Sequence, residues 1–146
     1  MELTWDDLII QDIPPAEAQS WIAPWSHMIS GQFAPIFMSK FGDWFLRRPD
    51  DSTDELSIIE GTLVRIAATA EEFASLVNNA QWQEQHLLSS HVAQLHQRGL
   101  IPGRGQCYGF APHPILTGRI NIDSAQVMSI SVWQFIAAQS FFRSIA

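Results

Sequence analysis

The chain has 146 residues, 47% of them hydrophobic and 16% charged, which is material for one core and too little for two comfortable domains. Eight Lys and Arg stand against fifteen Asp and Glu, a formal charge of −7, and the cations are seven Arg scattered along the chain plus the single Lys40. That distribution excludes the phosphate neutralisation on which nucleic-acid binding depends and makes a basic protein the natural electrostatic partner.

The opening residues, Met1-Glu2-Leu3-Thr4-Trp5-Asp6-Asp7, are acidic where a secretory leader is basic and then apolar. No run of about 18 apolar residues follows, so the chain is expected in the cytoplasm. Pro15 can open a helix, because its missing N–H is an unused donor there, and Pro24 confines that helix to about Ala16–Ile22. Phe33 to Met38 and Phe41 to Leu46 are dense in aromatic and branched residues and predict strands. Arg48-Pro49-Asp50-Asp51-Ser52 is turn chemistry, and Leu56–Ile59 is the expected returning strand of an antiparallel hairpin.

Thr69-Ala70-Glu71-Glu72 matches a capping box, and Phe73, Leu76, Val77 and Ala80 then share one helical face. Asn78-Asn79 breaks this run and can cap a second helix whose inward stripe is Leu88, Val92 and Leu95. Gly99 suits the left-handed position after its last turn, Leu100 can pack back on Leu95, and Pro102 blocks continuation. Residues 102–118 hold four of the eight Gly and three of the eight Pro and read as an irregular loop. Arg119–Ile122 and Gln126–Ile130 are expected as short strands. Ser131–Phe142 reads as a helix that is apolar nearly all round, hence either central to the core or covered by another chain.

Each cluster of reactive residues has a plainer alternative. His86, His91 and His96 advance about 140° per step around a helix and cannot converge on one ion, so no metal is expected; His91 should flank the core and the other two should be solvated. Cys107 and His113 could form a nucleophile and base, but no third group orients the histidine, and a lone buried thiol is the simpler reading. Gly103 to Gly109 follows a helix and precedes more loop, whereas a dinucleotide site needs a strand before and a helix after. The acids Asp43, Asp50, Asp51, Asp54, Glu55 and Glu60 crowd around one hairpin. They read as a solvated turn or, if functional, as a face for a basic partner; nothing pairs two of them across a cleft as a glycosidase requires.

Phe41-Gly42-Asp43-Trp44-Phe45-Leu46, Glu60-Gly61-Thr62-Leu63 and above all Gly105-Gln106-Cys107-Tyr108-Gly109-Phe110 carry a resemblance. In these blocks, and in the Glu71-Glu72-Phe73 helix start and the Gly99-Leu100-Ile101-Pro102-Gly103 stop, the chain resembles a bacterial family of small domains. That family forms the C-terminal part of immunity proteins guarding type VI secretion DNase effectors. Longer members carry a further N-terminal domain, for which residues 1–32 are too short. The resemblance implies toxin sequestration and no catalytic residues.

The combined expectation is an α+β domain, with an antiparallel sheet from the 33–60 region joined by one or two late strands and covered by helices. Residues 1–32 are expected as an extension packing on an immunity-type domain of residues 33–146. The expected function is non-enzymatic neutralisation of a secreted toxin such as a nuclease, without cofactor or metal. Partner contacts are assigned to Asp43, Trp44, Asp50, Asp51, Asp54 and Glu55, and a homodimer through the last helix is a further expectation. The alternative is a ligand-binding or regulatory domain with an aromatic pocket, lined by Cys107, Tyr108 and Phe110 together with Trp44; a hydrolase centred on Cys107 comes third.

Overall fold

A computed structural model describes residues 3–142. Its centre is an antiparallel sheet of β1 (Ile9–Ile10), β2 (Ala34–Ser39), β3 (Trp44–Arg47), β4 (Thr53–Ser57) and β5 (Thr62–Ala67), in the order β1-β2-β3-β4-β5. The fold is α+β. The hairpin forms as its turn chemistry predicts, with Arg47 opposite Thr53 and Phe45 opposite Glu55.

The sheet departs from expectation at both edges. The returning strand starts earlier and ends at Ser57, because Ile58–Gly61 is itself a turn: Gly61 N–H donates to Ser57 O at 2.8 Å, and Glu60 N–H donates to Ser57 Oγ at 3.1 Å. Thr62–Ala67 then returns as β5, a strand that its mixed polar and apolar residues did not announce. The late strands β6 (Gln106–Phe110) and β7 (Ala125–Ser129) do not join this sheet but form a separate two-stranded one. Arg119–Ile122 is not a strand, because Asn121 Oδ1 accepts the Asp123 N–H at 3.0 Å and caps a 3-10 turn instead.

Helices cover both faces. Phe37 and Phe45 point to one side and pack on Phe73 of α3 (Ala70–Leu76), while Phe45 also meets Trp82 of α4 (Ala80–Leu87). The caps read from sequence are present in most of their parts: Thr69 Oγ1 accepts from Glu72 N–H and Asn79 Oδ1 accepts from Trp82 N–H, while Glu72 reaches one residue further back than expected, to Ala68 N–H instead of Thr69 N–H. The second expected helix is broken, however. Leu88 takes a left-handed φ of 54° between α4 and α5 (Ser89–Gln97), so Leu87, Val92 and Leu95, rather than Leu88, are its buried residues. Gly99 ends α5 at φ 78° while Leu100 N–H donates to Leu95 O at 2.9 Å, the closing bond of a left-handed cap.

The opposite face is covered by α7 (Ile130–Phe142) and by the 3-10 segment Ala23–Met28 that follows α2 (Pro15–Ile22), and two single-turn helices, α1 (Trp5–Leu8) and α6 (Pro114–Thr117), complete the set among the described residues. Gln134 of α7 is fully buried and satisfied: its Nε2 donates to Gly42 O, its Oε1 accepts from Trp44 Nε1, and its backbone carbonyl accepts from Trp25 Nε1. Trp133 donates to Phe41 O and lies so close to Gly42 and Gly109 that a Cβ at either would approach its ring within 3 Å. The Gly-Asp-Trp and Cys-Tyr-Gly-Phe blocks therefore meet around α7. This helix is not enclosed by the fold: Ile130, Trp133, Ala137 and Ala138 are buried, but Val132, Phe135 and Ile136 remain exposed.

Residues before position 33 belong to the same core, to which they supply Leu8, Ile9, Ile22, Trp25 and Ile29. Among the described residues, no helix is long and apolar enough to cross a membrane.

Candidate functional site

The six hairpin acids separate into two groups, because side chains alternate across a strand. Asp54 points to one face, where Arg48 Nε lies 2.7 Å and Arg65 Nε 3.5 Å from its carboxylate. Asp50 accepts from the Ser52 N–H and hydroxyl, and these bonds hold its carboxyl below the usual range. Asp51 is exposed at the turn. Within the turn Asp54 is thus paired with cations while Asp50 and Asp51 stay at the exposed tip, and the structure does not gather Asp50, Asp51 and Asp54 into one acidic surface with Asp43 and Glu55.

Glu55 points to the other face. It stands between Phe45 and Val64 in register, and its Oε1 lies 2.7 Å from His86 Nδ1. His86 is held there by stacking on Trp82, with ring centroids 4.7 Å apart, so it is a partner of the sheet rather than a solvated residue. Asp43 joins Glu55 from the β2–β3 turn. Ser39 Oγ accepts from the N–H groups of Phe41 and Asp43, Gly42 supplies a φ of 93°, and the Asp43 carboxylate accepts the Ile58 N–H at 2.8 Å. Asp43 is only 7% exposed. Burial first, and the neighbouring Glu55 second, push its carboxyl well above the usual range, against the pull of the Ile58 bond.

Asp43, Glu55, Glu60, Val64 and His86 line a cleft of about 260 Å³ between β5, the end of α4 and Ile120. Three carboxyl groups face one histidine there. The arrangement suits a cationic group, whose arrival would lower the cost of ionising Asp43 beside Glu55. His86 and Val64 escaped sequence reading because β5 and the cleft it shares with α4 were not foreseen; Glu60 was visible as one of six acids.

Other expected contacts are placed differently. Trp44 has no exposed surface and bonds Gln134 inside the core, so it cannot grip a partner. Cys107, Tyr108 and Phe110 are buried as well, inside the core rather than around a cleft: Tyr108 and Phe110 pack on Phe41, and the Tyr108 hydroxyl donates to Leu100 O. Burial pushes the Cys107 thiol up to about 12, which removes the thiolate a nucleophile needs. His113 is equally committed. Its Nδ1 accepts from Ile115 N–H, which leaves Nε2 protonated to donate to Ile58 O, and burial lowers its pKa. Among the described residues no group of three or more His, Cys, Asp or Glu is arranged to hold a metal.

No family model matches the chain, and no curated protein matches it. Among solved structures it is similar to Atu4351 from Agrobacterium tumefaciens. The TM-score is 0.60 at 19% identity, over 88% of this chain and 65% of that one. The likeness shows a shared fold. This chain therefore spans just under two thirds of that protein's length.

Proposed function

We propose that this chain is a non-enzymatic binding protein of the immunity type, which captures a basic protein toxin such as a nuclease through the acidic cleft beside β5. The observation that supports this most is Asp43: a nearly buried carboxyl, held by a backbone bond beside Glu55, in a position that disfavours its own charge. Groups kept in such positions are commoner at functional sites than in structural cores. The net charge of −7 adds steering toward a cationic surface, the surface that a nuclease presents to phosphate. The resemblance of the Gly42-Asp43-Trp44 and Gly105-to-Phe110 blocks to immunity domains supplies the toxin class.

The test is association with the product of the adjacent gene. Glu60→Lys together with Glu55→Gln is expected to slow association at least tenfold at low salt, to flatten its salt dependence, and to reduce protection of cells expressing that product. Binding and protection equal to wild type would remove the cleft from the interface.

We further propose that the exposed row Val132, Phe135 and Ile136 of α7 is where a second copy of the chain packs.

A further inference from the structure

From the edge of the main sheet we infer how the partner docks: β5 accepts an additional strand from it, an extended segment carrying Lys or Arg on the side facing the cleft. This rests on the binding reading above and specifies the mode. β5 ends the strand order, so one row of its N–H and C=O groups has no strand beside it. From Thr62 to Arg65 it runs in unbroken register with Ser57 to Asp54, ahead of a bulge at Ile66, which leaves that row straight over four residues. Natural edges are usually blunted by Pro, Lys, bulges or short length. The other edge fits that rule, since β1 has two residues and the uncovered part of β2 contains Pro35, which has no N–H. Over Thr62-Leu63-Val64-Arg65, β5 carries one charge, Arg65, and that cation leans toward Asp54 at 3.5 Å. Val64 is 54% exposed.

Charge identifies the occupant. Side chains of an added strand alternate between faces, and those on the cleft side would lie next to Val64, with Glu55 one strand further in. The added strand would lie two spacings, about 9.6 Å, from β4, a gap that a Lys or Arg and the Glu55 side chain can span together. A second copy of this chain fits poorly, because two-fold pairing across β5 would bring two sets of Asp43, Glu55 and Glu60 to one joint face. Strand addition supplies affinity through backbone bonds, and the basic side chain supplies selectivity.

The experiment is backbone hydrogen exchange on the full chain, alone and with the adjacent gene's product, combined with two variants. Residues 62–67 should gain at least tenfold protection in the complex. Val64→Lys keeps the strand and places a competing cation over the cleft, and should weaken binding at least tenfold. Glu71→Gln, at the exposed start of α3, should leave binding within twofold. A complex that leaves exchange at 62–67 unchanged, or that Val64→Lys does not weaken, overturns strand addition while the binding reading stands. Protection of 62–67 that rises with concentration in the chain alone points to self-pairing and overturns the assignment of a basic partner. If the wild-type chain forms no complex, the binding reading falls and strand addition with it.

Discussion

At the scale of single residues, Asp43 and Cys107 show how burial sets chemistry. The Asp43 carboxyl titrates above its ordinary 3.8 in the fold, so its contribution to stability is fully present below the unfolded pKa. That contribution is lost as pH rises through the folded pKa. Asp43→Asn keeps an oxygen for the Ile58 N–H and removes the ionisation. The variant should therefore be more stable than wild type at pH 7, and the gap should close as pH falls below 4; urea unfolding at a series of pH values measures it. Binding of a basic partner should strengthen with pH in wild type, since ionised Asp43 attracts a cation. In Asp43→Asn that dependence should shrink. Cys107 contrasts with Asp43 in having no task beyond packing. Cys107→Ser places a hydroxyl where a thiol was wholly buried and should cost about 1–3 kcal/mol while partner binding is kept, with native thiol labelling of wild type slow beside labelling in denaturant.

Among the elements, the helices were legible because their ends are decided locally. Thr69, Asn79 and Gly99 each act on backbone groups within a few residues, and such signals survive without tertiary context. Asn79→Ala removes the acceptor for the Trp82 N–H and should cost about 1 kcal/mol, read as a shift in the denaturation midpoint with unchanged slope. The cost should not reach the cleft, because His86 is also fixed by Glu55 and by stacking on Trp82. The break at Leu88 was hidden for the converse reason. A left-handed Leu carries no local signature, and packing of Leu87, Val92 and Leu95 into the core outweighs its strain of roughly 1–2 kcal/mol. β5 was hidden because an edge strand with one face in a cleft lacks strict alternation: Thr62, Val64 and Arg65 are exposed while Leu63 and Ile66 are half-buried.

For the whole molecule, the two apolar and acidic surfaces predict separable assemblies. α7 exposes Phe135 at 55%, with Val132 and Ile136 beside it, on a helix whose other side is fixed by Trp133 and Gln134. Sedimentation at micromolar concentration should show a dimer that Phe135→Glu converts to a monomer, with any association at the proposed β5 cleft unchanged; a wild-type monomer would remove the dimer. Composition, charge and local punctuation determined the α+β class, the hairpin, the capped helices and the acidic character of the molecule, because each depends on residue type or on neighbours within one turn. Tertiary structure alone decided how the acids are grouped. Asp54 and Glu55 are adjacent in sequence, yet strand alternation turns one toward Arg48 and Arg65 and the other toward His86 and Asp43. It also placed Trp44 in the core against Gln134, 90 residues away, because whether an aromatic ring is buried or offered to a partner depends on what packs over it, and that is a property of contacts the linear chain does not contain.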